Sequence, residues 1–194
     1  MATVLIGSSH VARLQQYVGR HCRGGVRSIP DLHFLGRSGL TAARLADLND
    51  DLTEYYRREL VRIQPIRVIL LIGSNDLDQL SLGPPEVAVA EVMRRLRGIV
   101  SWIQLLTTQI LLMQLLPRVY PRTSKCTFRY KYPGRADYFI LRVLVNRQMM
   151  GLPVARVSPS LTSLLSCLQP DCVHLSDAGN QRLLKRMITS LKRM

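Results

Sequence analysis

The sequence predicts a single three-layer α/β/α domain on a five-stranded parallel sheet. Three observations carry that reading. First, five short, mostly apolar runs (3–6, 32–35, 67–72, 110–116 and 154–157) each stop at a glycine, a proline or a serine, as buried parallel strands do. Second, the segments between them carry apolar residues at helical spacing, and strands alternating with helices make a parallel sheet covered on both faces. Third, 194 residues with 47 % hydrophobic residues most simply form one domain with a large core.

In chain order, strand 3–6 runs into Gly7, Ser8 and Ser9, and a helix over about 9–20 places Val11, Leu14 and Val18 on one face. Gly24, Gly25 and Pro30 mark 22–30 as a loop. The second strand, 32–35, ends in G-R-S-G at 36–39, and a helix is expected from about Thr41 to Ile63, with Leu45, Leu48, Leu52, Tyr55, Tyr56 and Leu60 at helical spacing. The third strand, 67–72, breaks at Gly73 into the turn G-S-N-D. Pro84 and Pro85 then open a helix running to about Leu106, because proline is tolerated in a first turn. Strand 110–116 stops at Pro117. A helix over 137–150, a strand over 154–157 and a helix over 177–191 capped by Ser176 complete the chain. Right-handed crossovers leave few topologies, and the flavodoxin-like strand order is the default. No internal repeat or domain boundary divides residues 1–194.

The charge is unusual. Lys and Arg number 27 against 13 acids, a formal charge of +14 with a pI near 10.5, which attracts polyanions: nucleic acid, an acidic membrane surface or an anionic substrate. Half of the excess lies in residues 118–147, with eight Lys or Arg against Asp137. Within it, about 117–135 forms a basic–aromatic loop in which Arg118, Arg122, Lys125, Arg129, Lys131 and Arg135 alternate with Tyr120, Phe128, Tyr130 and Tyr132. Such a composition can grip phosphates and stack on bases, or bind anionic lipid headgroups. It is equally the composition of a solvated loop with tyrosines packed beneath it.

Four cysteines, Cys22, Cys126, Cys167 and Cys172, include no C-x-x-C pair, so free thiols in a reducing, intracellular compartment (cytoplasmic or nuclear) are expected rather than a disulfide scaffold. Cys167, Cys172 and His174 meet no zinc spacing, and no metal is expected. No secretory signal is visible, and the apolar window 99–116 is broken by Ser101, Gln104, Thr107, Thr108, Gln109 and Gln114, too polar for a membrane span. The abrupt start at a strand suggests a domain taken from a longer polypeptide.

The chemistry gathers at the strand ends. In a parallel sheet the turns carrying Ser9, Gly39 and Asn75 lie along one edge, where open α/β sheets hold ligands. A serine hydroxyl is a weak nucleophile and needs an adjacent base. His174 suits that role, and Asp171, three residues earlier in D-C-V-H, can fix its tautomer. The N–H groups of Ser9 and Gly39 and the Asn75 amide are candidate donors to a developing oxyanion. Each residue also has a plainer reading: Gly39 as a positive-φ turn residue, Asn75 and Asp76 as caps, Asp171 as a turn cap and His174 as a core histidine. His10 follows Ser9 directly, and a side chain adjacent in sequence points away, so His174 is the expected base. Leu161, Leu164, Leu165 and Leu168 form an i, i+3, i+4, i+7 stripe that reads either as core packing or as an apolar lip for an acyl chain.

Taken together, G-S-S at 7–9, S-G at 38–39, G-S-N-D at 73–76 and D-x-x-H at 171–174 resemble the four blocks of the SGNH (GDSL-type) hydrolases, in that family's order and across nearly the whole chain. The resemblance implies a serine esterase or acyl hydrolase that needs no metal or cofactor. It implies Ser9 as nucleophile, His174 as base, Asp171 as its partner, and Ser9, Gly39 and Asn75 as the oxyanion hole. One departure is Ser8, where the family's first block carries aspartate. Within the family, G-S-S-H, G-S-N-D and D-C-V-H-L-S-D-A-G look most like esterase domains encoded by some animal retrotransposons, which implies a small or lipid-like ester substrate and a nucleic-acid-handling parent chain. The rival expectation is a binding module that keeps the scaffold, turns over little ester, and uses its basic surface on nucleic acid or anionic membrane.

Overall fold

A computed structural model describes residues 1–22, 25–29, 31–80, 84–118, 135–157, 164, 166–171 and 173–192. Five strands, β1 (Thr3–Gly7), β2 (Leu32–Gly36), β3 (Arg67–Leu71), β4 (Gln109–Met113) and β5 (Ala155–Val157), form one sheet in the order β2-β1-β3-β4-β5. Every pairing is parallel. This is the expected flavodoxin-like order.

Period-two alternation divides the strand side chains between two cores. Val4, Ile6, Val68, Leu70, Ile110 and Leu112 face one cluster, and Leu5, Ile69, Leu71, Leu111 and Met113 face the other. Helices α2 (Ala42–Ala46), α3 (Asp51–Ile63), α5 (Pro85–Ile103) and α6 (Arg135–Gln148) cover the first face. Helices α1 (Ser9–His21) and α7 (Asp177–Leu191) cover the second. The strands are therefore apolar on both faces, and truncating a residue such as Leu70 to alanine costs about 2–5 kcal/mol.

Some boundaries differ from expectation, each for a local reason. The helix expected over 41–63 is two helices. Asp47 Oδ1 accepts the N–H of Asn49 at 3.0 Å, and Asp50 caps α3 by accepting the N–H of Leu52 at 2.8 Å. These short acids compete with the helical backbone, and the break leaves Leu48 exposed, as Tyr55 is further along. The G-S-N-D turn continues into a helix, α4 (Ser74–Leu80). Helix α5 ends at Ile103 rather than near Leu106, and β4 ends at Met113 rather than 116. After Met113 the chain bonds instead to α6: Asn146 Oδ1 accepts the Leu115 N–H at 2.8 Å, and Tyr138 Oη donates to the Leu116 carbonyl at 3.2 Å.

No described helix is long and apolar enough to cross a membrane. The basic–aromatic segment from 119 to 134 lies outside the described residues.

Candidate active site

Three adjacent strands deliver the three turns. Gly7, Gly36 and Leu71 stand side by side at the carboxyl ends of β1, β2 and β3. The Arg37 N–H donates to the Gly7 carbonyl at 3.0 Å, tying the second turn to the first. Gly36 must be small: a Cβ there would stand 2.4 Å from the Ala12 amide nitrogen, so glycine lets α1 close onto β2. Gly39 adopts φ 77°, the left-handed region glycine tolerates, and is exposed with its surroundings open.

Ser9 is the first residue of α1, where helix N–H groups are unpaired and the dipole is positive. Ser8, the residue that departs from the family block, caps that helix with its backbone: its carbonyl accepts from Val11 at 3.0 Å and Ala12 at 3.3 Å, while its side chain makes no cap bond.

The D-C-V-H segment is held in a closed loop. Leu168 and Leu175 form an antiparallel bridge, Gln169 N–H donates to the His174 carbonyl at 2.7 Å, and Ser176 N–H donates to the Cys167 carbonyl at 2.7 Å. Leu175 is buried in the core, so the loop is anchored to the α1/α7 side of the sheet. Within it, Asp171 Oδ1 accepts the N–H groups of Val173 at 3.0 Å and His174 at 2.9 Å. Its Oδ2 lies 2.6 Å from His174 Nδ1, and His174 Nε2 lies 2.9 Å from Ser9 Oγ. Serine, histidine and aspartate thus form one hydrogen-bonded chain across 165 positions of sequence. Burial raises the Asp171 pKa, but the backbone and ring N–H groups of His174 and the Val173 N–H outweigh it, leaving the carboxyl below its ordinary range. Arg13 adds a cation 4.0 Å from Asp171 Oδ2 and donates to Gln169 Oε1 at 2.6 Å.

His10 is placed otherwise. Its ring is buried and centred 5.4 Å from that of His174. Desolvation, then the charge of Arg118, push its pKa down to about 3.

At the end of β3, Asn75 Nδ2 donates to the Leu40 carbonyl at 2.9 Å, joining the β3 turn to the β2 turn beside Gly39. Asp76, expected as a local cap or turn residue, reaches further: it is fully buried and accepts the N–H groups of Ala42 at 2.7 Å and Ala43 at 2.9 Å, and it pairs with Arg95 at 2.9 Å. It therefore caps α2 across the site and holds the Gly39–Leu40 turn in place.

The basic residues fare differently from expectation. Arg118 is no surface contact: it is buried, donating from Nη2 to Asn75 Oδ1 at 2.7 Å and from Nη1 to Asp78. Arg142 of the same stretch is also buried, its guanidinium carbon 5.1 Å from the Phe139 ring centroid. Arg122, Lys125, Arg129 and Lys131 and the side chain of Arg135 lie outside the described residues, as do Leu161, Leu165 and Cys172. Leu164 is buried and Leu168 packs against the core, so these two members of the leucine stripe belong to the interior. Among the described residues no cluster of His, Cys, Asp and Glu is arranged to hold a metal ion.

No protein-family model and no curated protein sequence matches the chain. Solved structures do. A GDSL-like lipase of Bacteroides thetaiotaomicron superposes with a TM-score of 0.70 at 11 % identity, covering 99 % of this chain and 88 % of that one. The fold is that of the SGNH hydrolases. An acetylxylan esterase of Geobacillus stearothermophilus shares it, with a TM-score of 0.61 at 19 % identity over 98 % of this chain and 93 % of that one. Two further matches are catalytic mutants of that esterase, one replacing a serine and the other an aspartate. On this scaffold the first three sequence blocks stand at the carboxyl ends of β1, β2 and β3, and Asp171 and His174 lie in the loop before α7.

Proposed function

We propose that the protein is a serine esterase or acyl hydrolase of the SGNH type, acting on a small acyl or lipid-like ester. The observation that carries this reading is the His174 ring, hydrogen-bonded at Nε2 to Ser9 and at Nδ1 to Asp171. A base bound at both nitrogens has its tautomer set: Nδ1 donates to the carboxylate and Nε2 accepts from the hydroxyl.

Chemistry follows from those contacts. His174 Nε2 takes the Ser9 proton as Oγ attacks the ester carbonyl. The oxyanion draws on the Ser9 N–H at the start of α1, the Gly39 N–H and the Asn75 Nδ2–H. Collapse of the tetrahedral intermediate expels the alcohol, which leaves with the proton from His174, and an acyl-Ser9 ester remains. Water, deprotonated by His174, then attacks that ester; the tetrahedral intermediate expels Ser9 Oγ, which takes the proton back from His174, and the acid is released. Asp171, held ionised by its N–H donors, stabilises the imidazolium in both halves. No step calls for a metal or cofactor.

The likeness to lipases and acetyl esterases supports an ester substrate. The resemblance to retrotransposon-encoded esterase domains and the charge of +14 support a polyanionic partner alongside it. The hydrogen-bonded row Ser9–His174–Asp171 favours turnover over a binding module. Hydrolysis of p-nitrophenyl acetate tests the proposal. Ser9→Ala lowers kcat by up to about 10⁶-fold, the order seen when a triad member is deleted. A loss under tenfold contradicts it.

A further inference from the structure

Arg118 heads the basic segment, yet its side chain is 4 % exposed. Nη1 pairs with Asp78, Nη2 donates to Asn75 Oδ1 at 2.7 Å, and the guanidinium carbon lies 5.6 Å from the Tyr138 ring centroid. Tyr138 in turn is pinned to the Leu116 carbonyl. A buried cation with a carboxylate partner and an aromatic wall is a fixed charge, directed at one atom of the candidate oxyanion hole.

We propose that Arg118 is a positioning residue for ester hydrolysis, acting through Asn75. This rests on the esterase reading above. The Asn75 amide is nearly symmetric in shape but not in hydrogen bonding. In the observed orientation Oδ1 faces the guanidinium and Nδ2 faces the Leu40 carbonyl. A half-turn would set Nδ2 against a cation and Oδ1 against a carbonyl oxygen, so two donors and two acceptors would collide. Arg118 and Leu40 together hold one orientation, and the second Nδ2–H makes no bond among the described residues. That hydrogen is the one an oxyanion would receive. The charge on Oδ1 also draws electrons from the amide and strengthens Nδ2–H as a donor, as hydrogen bonds in series do. Arg118 touches no reacting atom, and its contribution grows as negative charge develops in the transition state, which puts it in kcat rather than KM.

The test uses the full chain and p-nitrophenyl acetate. Arg118→Ala lowers kcat 10- to 100-fold, with KM changed less than threefold and the melting curve still cooperative. In the Asn75→Ala background, Arg118→Ala costs less than a further twofold, because the group it orients is gone. Ethylguanidinium in the assay restores kcat of Arg118→Ala and leaves Asn75→Ala unchanged. If Arg118→Ala does not fold, Arg118→Lys, which keeps the charge but donates at one point, gives the reduced kcat at unchanged KM. Full additivity with Asn75→Ala, a kcat within twofold of wild type, or a loss confined to KM overturns the inference while Ser9-dependent turnover stands. Absence of any Ser9-dependent turnover in the wild type overturns the esterase reading and this inference with it.

Discussion

The rings of His10 and His174 lie 5.4 Å apart, tilted by 50°, and their roles divide by surroundings. His174 holds Ser9 at one nitrogen and Asp171 at the other, whereas His10 is buried, with its Nε2 unpartnered among the described residues. Protonating His10 would place an unpaired charge in the interior. Its folded pKa of about 3 lies below the 6.5 of an exposed histidine, so the unfolded chain binds more protons between those values. Stability therefore falls as pH drops from about 6.5 toward 3, by about 1.4 kcal/mol per pH unit from this residue. Urea unfolding at pH 7 and pH 4.5 measures it. The loss between the two is about 2–3 kcal/mol smaller in His10→Gln than in wild type; equal losses would show that His10 titrates normally.

In the proposed reaction Asp171 orients His174 and stabilises its imidazolium without touching substrate. Asp171→Asn keeps an oxygen for the Val173 and His174 N–H groups but offers an amide hydrogen to His174 Nδ1. That favours the tautomer whose Nε2 carries the proton and cannot accept from Ser9. A kcat loss on the order of 10⁴ is expected, as for the equivalent change in a serine protease triad, with KM little altered. Steady-state kinetics on p-nitrophenyl acetate checks it, and a loss below tenfold would remove Asp171 from the relay.

Asn75→Ala removes one of the proposed oxyanion donors and its bond to the Leu40 carbonyl. The expected cost in kcat is on the order of 10²–10³. A change under threefold would take Asn75 out of the site.

Asp76 ties the site together through the backbone. It is fully buried, with Ala42 N–H, Ala43 N–H and Arg95 as donors. Asp76→Ala leaves the Ala42 and Ala43 amides without their acceptor, while Arg95 keeps Glu91 as its partner, costing about 2–4 kcal/mol in chemical denaturation. A cost below about 1 kcal/mol would mean the turn rearranges freely.

Much of this was legible in the sequence because the fold writes itself in short apolar runs and glycine stops. Val68–Leu71 reads as a buried strand, three small blocks at three strand ends bring Ser9, Gly39 and Asn75 to one edge once the sheet is parallel, and D-x-x-H ahead of the last helix supplies His174. What stayed hidden depends on partners distant in sequence. The stretch D-L-N-D at 47–50 reads through as helix, since Leu48 keeps the apolar spacing across the break that Asp47 and Asp50 make. Asp76 reads as a local cap because its target, the N-terminus of α2, lies 34 positions away. Arg118 reads as surface charge by its neighbours Arg122 and Lys125; its buried place follows from Asp78 and Asn75, which only the folded sheet brings to it.

The central claim is that Ser9 is a nucleophile activated by His174. The most direct measurement is labelling of the folded protein with a fluorophosphonate probe, with the adduct located by peptide mass spectrometry. One adduct, on the peptide carrying Ser9, absent in Ser9→Ala and slowed by orders of magnitude in His174→Ala, is the predicted result. No labelling of the wild type, or equal labelling of Ser9→Ala, would contradict it.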